Sequence, residues 1–176
     1  MKFRAGSAVF GMFFFLVIQG CSHYTTKNAL PENLKTIYVN TVKNKIKVEE
    51  IISYKPGLEM EITNAIVRRL QRDGNLKVVK SPEEADVILD ADLIHFDQEG
   101  LRFSKLETTQ ESRLYIVLSL RLIDAKSKQP LWEEANFSGD QEYFLSTIHD
   151  QSRDEASDLT IDRLARNVVD RIVEDW

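Results

Sequence analysis

The sequence predicts an α+β fold: a two-layer sandwich in which a mostly antiparallel sheet of four to five strands carries two helices on one face. Three observations lead there. Arg113 to Asp124 alternates strictly, with Leu114, Ile116, Leu118, Leu120 and Leu122 to one side and Arg113, Tyr115, Ser119 and Arg121 to the other. That period of two belongs to a sheet with one dry and one wet face. Leu58 to Arg72 and about Arg153 to Asp175 each carry a single apolar stripe at helical spacing. The resulting order, β-α-β-β-β-β-α, leaves two helix stripes and one apolar sheet face, which bury one another most economically in two layers.

Each element has its own local warrant. Residues 22 to about 33 read as a polar tether ending in Leu30-Pro31-Glu32-Asn33. Leu34 to Val42 is β-rich (Ile37, Tyr38, Val39) and reads as a strand. A charged connection follows from Asn44 to Pro56, within which Lys47 to Tyr54 reads as a short strand or an exposed flap. In the first helix the stripe is Leu58, Ile62, Ala65, Ile66 and Leu70. Arg68, Arg69 and Arg72 lie near its end, where they suit the helix dipole, and Asp73-Gly74-Asn75 stops it. Leu76 to Val79 is a short strand and Ser81-Pro82-Glu83-Glu84 a turn. Ala85 to Phe96 is a long strand with Val87, Leu89, Ala91 and Leu93 on one face and Asp86, Asp90 and Asp92 on the other. Asp97 to Glu111 reads as a long polar loop, of the kind that is often functional. After the alternating strand, the turn Ala125 to Pro130 leads into a strand over Leu131 to Ser138. The last helix has the stripe Ile161, Leu164, Ala165, Val168, Val169, Ile172 and Val173.

The N-terminus carries an address. Lys2 and Arg4 precede an apolar run from Ala5 to Ile18, and no acidic residue occurs before Glu32. A charged start, an apolar stretch of about 14 residues and a small residue before the cut make a secretory signal; a membrane span wants about 20. Cys21 is the only cysteine, so it has no internal disulfide partner. Ile18-Gln19-Gly20-Cys21 resembles a lipobox, with Gln19 a mild departure from the usual small or aliphatic residue. The expected division is a signal peptide over 1–20, a lipidated N-terminus and tether over 21–33, and one α+β domain over 34–176. Ser22 after the cysteine, rather than Asp, inclines sorting toward the periplasmic face of an outer membrane.

Removing the signal takes two of the 23 basic residues and none of the 28 acidic ones, so the formal charge falls from −5 to −7. An acidic domain without a basic run is a poor nucleic-acid binder. No nucleophile elbow, His-Glu-x-x-His or phosphate-binding glycine loop occurs, and no catalytic residue, cofactor or metal is expected. His23, His95 and His149 are scattered, His95 at the end of its strand. Asp86, Asp90 and Asp92 share a face, which reads as solvated and paired across strands with arginines rather than as a calcium site. Trp132 reads as a packing or interface anchor.

Several collinear segments together resemble a known family. They are Asn44-Lys45, Pro56-Gly57-Leu58-Glu59, Ile62 to Ile66, Arg72 to Val79 and Ala85 to Leu89, then Leu131-Trp132-Glu133, Phe137-Ser138-Gly139 and Glu155-Ala156. In this order, after a lipobox, they resemble the lipopolysaccharide-assembly lipoproteins of the LptE family. The resemblance implies a sheet backed by two helices, no catalysis, and a position as a plug inside the LptD outer-membrane barrel, which delivers lipopolysaccharide to the outer leaflet. The competing function is a lipid-anchored scaffold or recruitment protein for envelope assembly. Ser22-His23-Tyr24 and the long charged stretch Lys45 to Lys55 depart from the family pattern.

A plug meets polar, hydrated barrel walls, and the wet face at Arg113, Tyr115, Ser119 and Arg121 suits such a wall as well as it suits plain solvent. Lipopolysaccharide carries phosphates and acidic sugars, which call for Arg or Lys donors. The candidates are Arg102 and Lys105 in the long loop, Arg113 and Arg121 on the wet face, and Lys126 and Lys128 on the following turn.

Overall fold

The computed structural model describes residue 31 and residues 33–47, 56–103, 109–144 and 153–173, with the backbone alone at Arg102, Phe103, Thr109, Gln110, Phe144 and Arg153. The signal, Cys21, His23, His149, Lys105 and most of the tether and of the Lys47 to Tyr54 stretch lie outside the described residues.

Six strands and two helices follow in order: β1 (Thr36–Val39), β2 (Lys43–Asn44), α1 (Leu58–Asp73), β3 (Lys77–Val78), β4 (Val87–Phe103), β5 (Thr109–Asp124), β6 (Pro130–Phe144) and α2 (Arg153–Val173), with a 3-10 turn at Pro82–Glu84 before β4. The fold class is the expected α+β sandwich. The sheet is mixed, in the order β3-β1-β4-β5-β6, with β2 also pairing with β4. Its long ladders, β4–β5 and β5–β6, are antiparallel hairpins. The pairings of β1 with β3, β1 with β4 and β2 with β4 are parallel. The parallel part follows from connectivity, because α1 carries the chain across the sheet before β3 and β4 return beside β1.

The interior is built from the stripes the sequence displays. Ile37 and Val39, then Val87, Leu89, Ala91, Leu93 and Phe96, then Leu114 to Leu122 at every second position, are all buried. Against them lie Leu58, Ile62, Ala65, Ile66 and Leu70 of α1 and Ile161, Leu164, Ala165, Val168, Val169 and Ile172 of α2, in one continuous core. Gly74 ends α1 in the left-handed region at φ 81° and donates its N–H to the Leu70 carbonyl, which satisfies an orphan acceptor of the last turn. The buried Thr63 hydroxyl accepts the Val42 N–H at 3.0 Å and donates to the Glu59 carbonyl at 2.6 Å, fastening the β1–β2 connection to α1. Helix α2 packs so closely on β6 that a Cβ on Gly139 would lie 2.8 Å from Leu164 Cβ.

Three expectations are corrected. The polar loop from Asp97 to Glu111 is largely strand: Asp97 to Phe103 pairs with Thr109 to Tyr115. Those residues look like loop because Arg102 to Glu111 shows no apolar alternation in sequence and Ser112 is the last position on that end of β5 described as buried. His95 is therefore mid-strand rather than terminal, at a register shift between Leu93 and His95. That extra residue passes the inward face from Leu93 to Phe96. The strand expected over Leu34 to Val42 ends at Val39, and β2 pairs separately.

Candidate interaction surface

One face of the sheet is uncovered by the helices. The register puts Asp90, Asp92, Asp97 and Glu99 of β4, Arg113, Tyr115, Ser119 and Arg121 of β5, and Glu133, Asp140 and Glu142 of β6 on it. The four β5 residues are half-buried. A cationic and aromatic central strand thus runs between two acidic ones. Opposite charges on neighbouring strands attract, and here they meet. Arg121 lies 3.6 Å from Asp90, which also accepts a hydrogen bond from the Asn40 side chain. Arg113 pairs with Glu142 and lies 3.6 Å from Asp140. The hydrogen bond to Glu142 raises the Arg113 guanidinium above its ordinary value, with Asp140 and Glu99 adding to the effect against partial desolvation. The expected cross-strand pairing of arginines with the β4 aspartates is therefore present at Asp90. His95 Nε2 lies 3.3 Å from the Tyr115 hydroxyl, with the rings 5.2 Å apart.

The turn between β5 and β6 is built around Asp124. One of its carboxylate oxygens accepts the Lys126 N–H at 3.1 Å, the Ser127 N–H at 2.7 Å and the Ser127 hydroxyl at 2.8 Å. The Ser127 hydrogen bonds hold the Asp124 carboxyl below its ordinary value. Lys128 takes a left-handed conformation at φ 58°. Lys126 and Lys128 consequently stand exposed on a fixed turn.

The six sequence candidates for lipopolysaccharide contact do not form one cluster. Lys126 and Lys128 sit at one end of the long hairpins and the Arg102 backbone at the other, with Arg113 and Arg121 between. At about 3.3 Å per residue, the 16 residues of β5 separate the two ends by about 50 Å. Trp132 is half-buried against the core, and the Arg171 guanidinium lies 4.5 Å from its ring centre, so it packs as an anchor between β6 and α2.

A family model for LptE, described as lipopolysaccharide-assembly, matches residues 34–176. The chain belongs to the LptE family. No protein of curated function matches it in sequence. Among solved structures, it is similar to a hypothetical protein from Chlamydia trachomatis, with a TM-score of 0.56 and 16% identity over 79% of this chain and 95% of that one. It is also similar to a PelC variant from Paraburkholderia phytofirmans solved as a dodecamer, at 0.53 and 11% over 84% and 96%. A protein from Xanthomonas campestris matches at 0.53 and 11% over 81% and 88%. At such identities the likeness is one of fold.

On the other side of this LptE-family domain, the helix layer holds a cluster that the sequence candidates omit. Arg68, Arg69 and Arg72 of α1 and Arg166 of α2 line a recess between the helices, with Asp162 and the small Ala65 and Ala165. The triple on α1 was legible as a cluster near the helix end. The approach of Arg166 is tertiary and left no mark in the pattern.

Proposed function

We propose that this chain is an outer-membrane lipoprotein, cut before Cys21 and held by lipid on that residue at the periplasmic face. In this reading it plugs an LptD-type β-barrel and assists the passage of lipopolysaccharide to the outer leaflet. Membership of the LptE family over residues 34–176 carries the reading. The uncovered sheet face supports it. That face is polar and net acidic, with Arg113 and Arg121 the two cations among its carboxylates, and it places Tyr115 among ion pairs, a surface suited to a hydrated wall. No catalytic step and no cofactor enter the mechanism, which is one of docking and ligand contact.

For lipopolysaccharide, Lys126 and Lys128 are the best placed of the candidates whose side chains the structure describes. Both ammonium groups are exposed on a turn that other side chains hold in shape. Arg113 and Arg121 already have carboxylate partners. The more accessible pairs of Arg113 are worth only about 0–1 kcal/mol, so a phosphate with better geometry displaces them at little cost, whereas Asp90 is mostly covered. Arg102 remains a candidate, its backbone at the far end of the hairpin, and Lys105, outside the described residues, remains one from the sequence alone.

The deciding experiment is purification of the Cys21-anchored protein from outer membranes. A barrel of LptD type is expected to accompany it; repeated recovery of the chain without a barrel leaves the scaffold reading instead. Charge reversal at Lys126 and Lys128 should weaken lipopolysaccharide capture without loss of the barrel. Unchanged capture removes the two lysines from the ligand site.

A further inference from the structure

We propose that the recess between α1 and α2 is a binding site for a phosphate group. The chain is rich in carboxylates, and the arginines described elsewhere find carboxylate or carbonyl acceptors. Arg113 pairs with Glu142, Arg121 with Asp90 and Arg171 with Glu134. Arg163 donates to the Asp140 carbonyl. The recess is different. Among the described residues, Arg68, Arg72 and Arg166 form no ion pair or hydrogen bond, and Arg69 has one ion pair, at 3.6 Å to Asp170. Arg69 Nε is also buried without a hydrogen-bond partner. Three unpaired guanidinium groups thus converge in a domain whose mature charge is negative.

The spacing places them together. Arg68 and Arg72 are four residues apart, and Arg69 and Arg72 three, so they share one side of α1. Ala65 and Ala165, both buried, leave the floor of the recess low and let Arg166 approach from α2. The helix dipole accounts for part of this. It favours a cation in the last turn and fades beyond it, which covers Arg72; Arg68 also borders a neighbouring recess with Glu61, Asp158 and Asp162, and Arg166 is left unexplained. Asp162 is the one carboxylate in the lining, so the recess keeps an excess of positive charge.

A phosphate matches that excess. A phosphate monoester carries about −1.5 to −2 charge and three acceptor oxygens at pH 7. Guanidinium forks bind such oxygens in pairs, where a carboxylate satisfies a single fork. The recess measures about 60 Å³ and is open to solvent on one side, which gives a phosphate group room to reach the guanidinium groups. The site is on the helix layer, opposite the sheet face of the barrel reading, and does not rest on that reading.

The test uses the full lipidated chain in zwitterionic detergent, with inorganic pyrophosphate as the probe, at an ionic strength of about 0.15 M. Calorimetric titration should show one site. Replacing Arg68, Arg72 and Arg166 together by Gln should weaken it by about tenfold or more, while Lys43→Gln with Lys45→Gln, both exposed and outside the recess, leaves it unchanged. All three arginines are exposed, so the variant should keep its circular dichroism. Should the triple variant fail to fold, Arg166→Lys alone retains the charge, loses the fork and should still weaken the probe. Competition then identifies the natural source. Displacement by lipopolysaccharide micelles points to its phosphates, and displacement by phosphatidylglycerol but not phosphatidylcholine vesicles points to a lipid headgroup. Displacement by neither points to a soluble phosphate ester. Absence of pyrophosphate binding, or equal binding by wild type and the triple variant, overturns the proposal. Barrel co-purification is read separately, so either idea can fail without the other.

Discussion

Asp86 shows how one side chain fastens two strands. A single carboxylate oxygen accepts the Lys35 N–H at 3.0 Å, the Thr36 N–H at 3.1 Å and the Thr36 hydroxyl at 2.9 Å, while the Asp86 N–H donates to the Thr36 hydroxyl at 2.8 Å. This knot sits where β1 enters the sheet beside β4. The Lys35 backbone hydrogen bond and then the Thr36 hydroxyl favour the charged form against partial desolvation, so the Asp86 carboxyl lies below its ordinary value of 3.8. A carboxyl depressed in the folded state stabilises the fold above its unfolded value, and that contribution disappears as the pH falls through the folded one. Asp86→Asn should therefore cost about 1 kcal/mol at neutral pH, allowing for solvent screening. The gap from wild type should narrow in acid below about pH 3.8. Urea unfolding of both proteins along a pH series measures this. A gap that stays constant into acid would sink the account.

At the scale of elements, the contact between α2 and β6 sets a spacing that glycine alone permits. A methyl at Gly139 would meet both Cβ and Cα of Leu164, at 2.8 and 3.0 Å. One of those atoms is backbone, so the helix itself would have to lift. Gly139→Ala is expected to cost about 1–3 kcal/mol, the usual range for overpacking. Adding Leu164→Ala should not restore it, because the offending Cβ remains. An unchanged urea midpoint for Gly139→Ala would remove the contact from the packing argument. The sequence gives no hint of this approach, although Phe137-Ser138-Gly139 belonged to the family resemblance. What it displays clearly are elements whose burial repeats in step with their geometry: β5 at a period of two, and both helix stripes. It hides β4 beyond Phe96, because the extra residue before His95 breaks the alternation and the hairpin then leaves the core. It also hides the parallel pairing of β1, which depends on where α1 returns the chain. The candidate surface divides in the same way. Arg113, Tyr115, Ser119 and Arg121 were visible as one face, while their carboxylate partners on β4 and β6 follow from register. The arginine recess needed two helices brought side by side.

In the function proposed for it, the whole molecule has two separate means of attachment, and they can be set against each other. Acyl chains on Cys21 would contribute about 0.8 kcal/mol per buried methylene, sufficient alone to hold a scaffold at a membrane. A plug has a second hold. Three strands about 4.8 Å apart and about 50 Å long present roughly 700 Å² of open face, close to the roughly 800 Å² that one partner buries in a standard stable interface. The two functional readings therefore diverge once the lipid is removed. Consider the chain with Cys21→Ser, exported behind a conventional cleavable signal in place of residues 1–20. As a plug it should still fractionate with outer membranes while the barrel is present and appear in the soluble periplasmic fraction when the barrel is depleted. As a scaffold held by lipid alone it should be soluble in both cases. Fractionation with and without the barrel measures the difference. Release of the unlipidated chain in cells with abundant barrel would leave the open sheet face without the docking role proposed for it.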